Sequence, residues 1–252
     1  MKSSKKGSVR YVLYYLVFAL LFSVILLVTM SLIMSIKLGE DTTECADTAS
    51  LNENECITVV IDAGHGGEDG GAIGTNGALE KDINLDISFK LCDMLRASGV
   101  KVIMTRSEDI LLYDRNTDYK GRKKILDMAE RLKIVKSQKN AIFVSIHMNS
   151  FPQSKYRGLQ VYYSGNSERS LVLANAIQES VATELQKENT RKVKPSSNIY
   201  LLERIEVPAV LIECGFLSNA EECALLCDDE YRKELALCVY RGIFEFISED
   251  NS

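Results

Sequence analysis

The sequence predicts an α/β fold: a mainly parallel twisted sheet flanked by helices on both faces, preceded by one N-terminal transmembrane helix. From residue 57 onwards, short apolar runs alternate with longer segments of helical spacing. Such alternation is typical of strand–helix–strand units and a parallel sheet. Before them, residues 11–36 form an uncharged apolar stretch. This stretch exceeds the ~20 residues that a helix needs to cross a bilayer.

The N-terminal segments predict a retained membrane anchor. Residues 1–10 form a basic tail, and the positive-inside rule keeps such a tail in the cytoplasm. A cleaved signal peptide is the alternative, but the apolar stretch 11–36 is too long for one and has no A-x-A cleavage site. Residues 37–56 are acidic and without periodicity, which predicts a flexible linker. We therefore expect a single-pass protein of the cell membrane, with residues 57–248 as a domain outside the cytoplasm.

The elements of this domain follow from its hydrophobic pattern. Apolar runs predict buried strands, at 57–61, 100–105, 141–146, 158–163 and 207–212. Helical spacing of apolar residues predicts helices, at about 82–97, 121–136, 167–187 and 230–247. Gly99 is a typical stop signal for the first of these helices.

Charge and cysteine content exclude several functions. The net charge of −5 argues against a nucleic-acid partner, and it would not steer an anionic polymer towards the chain. The seven cysteines lack the spacing of a metal site, so we interpret most of them as small buried hydrophobic residues. Cys45 and Cys56 could pair in an oxidising space. Cys214 is not interpreted as a nucleophile, because no third histidine is available to activate it.

The two histidines of the chain both close apolar runs. His65 ends ITVVIDAGH, and His147 ends AIFVSIH. Both imidazoles should therefore lie at the C-terminal ends of strands, where open α/β sheets place their active sites. A lone histidine there would be interpreted as an ordinary core or surface residue. Two at equivalent positions instead predict a catalytic metal, because neutral imidazole is the commonest nitrogen ligand.

A third ligand is predicted at Glu80, which follows the glycine-rich loop after His65 and precedes the first helix. The alternative is an ordinary acid of the first helical turn, stabilised by the helix dipole. Two histidines and a carboxylate, with one position left to water, form a known catalytic Zn²⁺ arrangement. The loop GHGGEDGGAIG fits no phosphate-binding pattern, so its glycines are interpreted as letting the backbone turn sharply and leaving room around His65 for a substrate.

Two further carboxylates stand at the ends of apolar runs. Glu213 ends VPAVLIE and is predicted to be a general base beside a metal-bound water; the alternative is a salt bridge to an arginine. Asp62 precedes His65 by three residues. It either orients an imidazole or caps the turn, and the sequence favours neither.

Five segments resemble, in order and spacing, the zinc-dependent N-acetylmuramoyl-L-alanine amidases of bacterial cell walls: VVIDAGHGGEDGGAIG, LEKDINLDI, MTRSED, FVSIHMNS and LIECGFLSN. The resemblance covers residues 57–248, which would be a zinc amidase catalytic domain. It implies a peptidoglycan substrate cut at the amide between muramic acid and the peptide stem. It also implies zinc ligands at His65, Glu80 and His147, and a catalytic glutamate at Glu213.

A narrower resemblance is to the sporulation members of this family. It rests on the single anchor without wall-binding repeats, and on the segments YDRNTDYKGRKKILDMAER and SFPQSKYRGLQVYY. It implies formation of muramic δ-lactam in spore cortex, coupling to a muramic acid deacetylase, and a location between the two membranes of the developing spore. An accessory or activating protein is left open. The alternatives are a general vegetative wall amidase, a different metallohydrolase such as a peptidase, and a catalytically silent peptidoglycan-binding protein.

One family segment departs from the common pattern. Many members have L-x-x-R-x-x-x-A-N before the strand that carries the second histidine. This chain keeps Arg131 but has Val135 and Lys136 in place of the alanine and asparagine.

Overall fold

The computed structural model describes residues 18, 20–27, 29–30, 57–114, 116 and 120–250. The chain divides into two compact units, Met1–Ser50 and Leu51–Ser252. The described residues of the first unit are helical. No helix within the described ranges is both long and apolar enough to cross a bilayer. The predicted tail 1–10 and linker 37–56, and most of the predicted span 11–36, lie outside the described residues.

The second unit is built on a six-stranded sheet. Its strands are β1 (Thr58–Ala63), β2 (Lys101–Met104), β3 (Ala141–Asn149), β4 (Gln160–Tyr163), β5 (Lys194–Pro195) and β6 (Ala209–Phe216). Their order across the sheet is β2-β1-β3-β6-β4-β5. The first four strands in this order run parallel, whereas β4 is antiparallel to β6. The prediction of a mainly parallel sheet is therefore confirmed, and the two-residue β5 is an addition to it.

Five helices accompany these strands within the described residues of the second unit. They are α1 (Glu80–Ala97), α2 (Lys123–Lys136), α3 (Arg169–Glu184), α4 (Ala220–Cys227) and α5 (Asp229–Asp250). Four of them correspond to predicted helices. The short α4 was not predicted; it begins where the Asn219 side chain accepts hydrogen bonds from the backbone N–H groups of residues 221 and 222.

The helices cover the two faces of the sheet unequally. Helices α1, α3, α4 and α5 pack on the face that carries the larger apolar core, through residues such as Leu91, Ile177 and Ile243. On the opposite face, Val135 of α2 and Leu202 of the segment before β6 pack in a smaller cluster. Helices on both faces were predicted, and this is confirmed. The less covered face leaves space above the sheet near the C-terminal ends of β1, β3 and β6.

Two strands extend further than their apolar runs. β3 continues through His147 to Asn149, and β6 continues through Glu213 to Phe216. His147 and Glu213 are direct partners in the parallel register of these strands. Because side chains alternate along a strand, both therefore lie on the same face of the sheet as the smaller cluster.

Candidate metal centre

Two of the predicted ligands, His65 and His147, meet at one carboxylate oxygen of the third, Glu80. Oε1 of Glu80 lies 3.2 Å from Nε2 of His65 and 3.0 Å from Nδ1 of His147. The two imidazole rings meet edge to face, with their centroids 4.9 Å apart. One ligand atom from each residue lies within 4.8 Å of the other two. The structure therefore brings the three residues together, although they come from a loop, a helix and a strand.

This donor set fits a zinc ion. Zinc binds imidazole nitrogen and carboxylate oxygen at roughly 2.0–2.2 Å, so atoms around a tetrahedral ion lie about 3.3 Å apart. The separations from Glu80 Oε1 agree with this value. Burial raises the pKa of Glu80, but His147 and His65 lower it by a larger amount, so its pKa falls well below the usual range. Glu80 is therefore an anionic ligand candidate at neutral pH.

Backbone donors fix the orientation of Glu80. Its Oε2 accepts a hydrogen bond from the N–H of Ala72 at 2.8 Å, and its Oε1 accepts one from the N–H of Met148 at 3.0 Å. Glu80 is also the first residue of α1. Glu80 is therefore both an acid of the first helical turn and the carboxylate that faces the two histidines, so the two interpretations do not exclude each other.

Glycines make room for the ligand side chains. A Cβ atom at Gly64 would lie 2.3 Å from Nε2 of His147. A Cβ at Gly71 would lie 2.5 Å from Oε2 of Glu80 and 2.8 Å from Cδ2 of His65. The room at these two glycines is filled by side chains of the cluster, and the predicted space for a substrate around His65 stays a prediction.

Asp69 is a functional candidate that the sequence analysis missed. Its Oδ2 lies 3.0 Å from Nδ1 of His65, on the side of the ring away from Glu80. A carboxylate in this position orients a ligating imidazole and raises its basicity. The available signal was weak, because Asp69 lies four residues after His65 within a loop whose path the pattern does not predict.

Asp62 does not have either of its predicted roles. Its carboxylate accepts hydrogen bonds from Thr105, Ser145 and Arg131, each at 2.7 Å, and these include neither an imidazole nor a turn N–H. The physical reason is that β1 continues to Ala63, so Asp62 lies inside the sheet opposite Ser145 of β3. The expectation that Asp62 orients an imidazole or caps the turn was therefore wrong.

Two buried arginines hold the backbone that carries His65. Arg131 donates to the carbonyl oxygens of Ala63 and His65, at 2.8 and 2.7 Å. Arg106 donates to those of Ala63 and Gly64, at 2.8 and 3.0 Å. His65 has φ 61°, a left-handed conformation that is strained for a residue with a Cβ. The hydrogen bonds from the two arginines offset this strain. This gives Arg131 a structural role, although the residues after it depart from the common family pattern.

Glu213 lies beside the cluster with one oxygen unused. Its Oε2 is buried and has no hydrogen-bond partner among the described residues, so the alternative of a salt bridge to arginine is not observed there. Burial and the nearby Glu80 raise its pKa, the histidines lower it, and the result is about 7. A carboxylate with this pKa can both accept and return a proton near neutral pH.

The cluster opens into a cavity of about 270 Å³ on the less covered face of the sheet. Its lining includes both histidines, Asp69, Lys124 and Tyr200. Cys214 points into the opposite core and is fully buried. Burial raises the pKa of its thiol far above the usual range, in agreement with the prediction that it is not a nucleophile.

Comparison with known proteins decides the family. A family model described as N-acetylmuramoyl-L-alanine amidase matches residues 59–245. The chain belongs to this family. The predicted resemblance and the predicted amidase activity are thereby confirmed, and peptidoglycan is the substrate that this family implies.

Individual amidases agree with the family assignment. The germination-specific N-acetylmuramoyl-L-alanine amidase of Bacillus subtilis is 37% identical over 191 residues, which is 76% of this chain and 80% of that protein. A structure of the CwlD amidase from Clostridioides difficile in complex with the GerS lipoprotein has a TM-score of 0.72 and 42% identity, over 76% of this chain and 98% of that one. The catalytic domain of the amidase CwlV from Bacillus (Paenibacillus) polymyxa var. colistinus has a TM-score of 0.65 and 32% identity, over 76% and 98%.

Proposed function

We propose that this amidase hydrolyses the bond between the lactyl group of N-acetylmuramic acid and L-alanine, with a zinc ion held by His65, Glu80 and His147. The observation that carries the proposal is the convergence of both imidazoles on Oε1 of Glu80, beside a carboxylate with an unused oxygen. When bound, zinc supplies a Lewis acid for the carbonyl and lowers the pKa of a bound water.

The residues of the chain have separate tasks in this reaction. Glu213 removes a proton from the attacking water and then transfers it to the departing amine of alanine. The negative charge of Asp69, 3.0 Å from Nδ1 of His65, favours a proton on that nitrogen, so that Nε2 keeps its lone pair for the metal. Arg131 and Arg106 hold the loop in the conformation that aims His65 at Glu80.

Product analysis on purified peptidoglycan distinguishes this reaction from its alternatives. The full-length chain should release peptides with free L-alanine amino termini and leave the glycan strands intact. A peptidase would cut within the stem instead and expose other amino termini. A silent binding protein would retain the polymer and release nothing, and either of these results would contradict the proposal.

We further propose that the amidase acts in spore cortex, where it removes peptides from muramic acid before a deacetylase allows the δ-lactam to form. The similarity to the germination-specific amidase supports this role. The complex of the C. difficile amidase with a lipoprotein supports an accessory protein as a partner. A general vegetative wall amidase is the remaining alternative.

Loss of this gene should leave spore cortex without muramic δ-lactam while vegetative growth stays normal. The reason is that δ-lactam needs muramic acid residues from which the peptide has been removed. Muropeptide analysis of mutant spores measures this directly, and restoration with the wild-type chain is the control. Normal δ-lactam content together with a vegetative wall defect would favour the general wall amidase.

The membrane location remains a proposal. The basic tail before an apolar stretch supports a retained anchor at 11–36, with the linker 37–56 and the amidase domain outside the cytoplasm. Protease added to wall-stripped cells that produce the chain during vegetative growth should degrade the domain. A domain protected until the cells are lysed would contradict this orientation.

A further inference from the structure

A second cavity, of about 420 Å³, opens next to the start of β4, at the same edge of the sheet as the ligand cluster. Four basic side chains contribute to its lining: Lys155, Arg157, Lys187 and Arg191. We name it the basic cavity. The whole chain carries a net charge of −5, so a concentration of cations at one place is a local departure from its overall field.

One residue links the basic cavity to the strand beside the catalytic carboxylate. Arg191 donates from Nη1 to Oε1 of Gln160 at 3.0 Å. Gln160 is the direct antiparallel partner of Glu213, so both side chains lie on the same face of neighbouring strands. Adjacent strands are about 4.8 Å apart. Gln160 therefore holds Arg191 at the strand next to the one that carries Glu213.

Arg191 is held in a fixed orientation. Its guanidinium lies over the ring of the buried Phe216, 4.7 Å from the ring centroid, and its Nε donates to the carbonyl oxygen of Arg157 at 2.7 Å. Nη2 makes no hydrogen bond to any described residue. A stacked guanidinium with a free edge is well suited to bind a carboxylate, because little side-chain entropy is lost on binding.

The positive charge of the cavity is only partly compensated. Two acids line it against the four basic side chains, the exposed Glu188 and Glu222, and both oxygens of Glu222 already accept backbone N–H groups, of Gly158 and Phe216 at 2.8 Å. Arg157 lies 3.5 Å from Glu221. Arg191 and Lys187, by contrast, form no ion pair within the part of the chain that the structure describes. A ligand with negative charge would complete this arrangement.

We propose that the basic cavity binds a carboxylate of the peptide stem, with Arg191 as its main contact, while the scissile amide lies at the ligand cluster. This inference rests on the proposed function and adds a specificity site to it. The peptide stem supplies carboxylates through its acidic residues and its C terminus. Anchoring one of them places the departing amine on the β4 side of Glu213, the group that must protonate it.

The test compares two soluble muramyl peptides that differ only in whether their stem carboxylates are free or amidated. For the full-length chain, KM should be at least about 10-fold lower for the free form, as expected for a charge-assisted hydrogen bond, with kcat little changed. Arg191→Gln should raise KM for the free form by about the same factor and leave the amidated form unaffected. Arg191→Lys should retain part of the preference.

Two more variants keep the test decisive. Lys187→Gln removes an exposed cation of the cavity that makes no hydrogen bond to a described residue, so it should weaken the preference without affecting folding. Lys101→Gln removes an exposed cation on β2, at the far side of the sheet, and should change nothing. Equal KM values for the free and amidated forms would overturn the inference, as would an Arg191→Gln effect of the same size on both. If the wild-type chain exposed no L-alanine amino termini, this result would instead contradict the proposed function itself.

Discussion

Replacement of Glu213 by glutamine should lower kcat for release of the peptide stem by roughly 10²–10⁴, the usual contribution of a general acid–base group. Glutamine keeps the size of the side chain and its place opposite His147 in the register. It cannot accept the proton of the attacking water or return it to the amine. The buried Oε2, which has no partner in the described part of the chain, is the atom that would take this proton. Steady-state release of free amino termini measures the effect.

Metal content provides the control for this variant. Wild type and Glu213→Gln should each contain about one zinc ion per chain, because Glu213 is assigned to the water and not to the metal. His147→Ala should lose both zinc and activity, since it removes one of three ligands. Elemental analysis after dialysis measures the content. Full activity in Glu213→Gln would contradict the mechanism, and full zinc content in His147→Ala would contradict the ligand assignment.

The sequence predicted the parts of the fold that depend on local pattern. The apolar runs mark β1, β3 and β6 correctly, because strands buried on both faces have few polar residues. The ends of β3 and β6 were predicted too early, since the polar residues His147 and Glu213 belong to these strands although they face the cleft. The antiparallel direction of β4 was not predicted, because a four-residue strand has the same pattern in either direction.

For the site, the sequence likewise predicted the proposed ligands but not the residues that support them. The histidines stood out because the chain has only two, and Glu80 followed from the need for a third ligand. The residues that support them depend on contacts between distant segments, which no local pattern shows. Asp69 reaches back to His65 only because the loop folds over, and Arg106 reaches the same turn from beyond β2. The error at Asp62 has the same origin, since its partners come from β3, α2 and the end of β2.

Arg131 connects the stability of the domain to the geometry of the site. Its side chain is 1% exposed, and it pairs with Asp62 at 2.7 Å and Asp127 at 2.8 Å. Burial raises the pKa of Asp62, but Arg131 and the Ser145 and Thr105 hydroxyls lower it by a larger amount, so the net shift is downward. The guanidinium also donates to the carbonyl oxygen of His65. Removing it therefore leaves two buried carboxylates without this cation, and the loop keeps only Arg106 of its two arginine donors.

Arg131→Met should lower the free energy of unfolding by about 3–5 kcal/mol at pH 7, the usual effect of breaking a buried ion pair from one side. Urea unfolding measures this, and Lys133→Met on the exposed face of α2 is the control, expected within about 0.5 kcal/mol of wild type.

The pH dependence of this stability difference identifies its cause. In wild type, the lowered pKa of Asp62 gives stability that is present above its ordinary value of 3.8 and is lost as the pH falls through the folded-state pKa. In the variant, burial without Arg131 raises the pKa of Asp62. The carboxylate therefore takes up a proton as the pH falls, and the cost of burying its unpaired charge is removed. The free energies of unfolding of wild type and Arg131→Met should therefore come closer together from pH 7 to about pH 4. If their difference stayed constant over this range, the lost stability would be due to packing and not to charge.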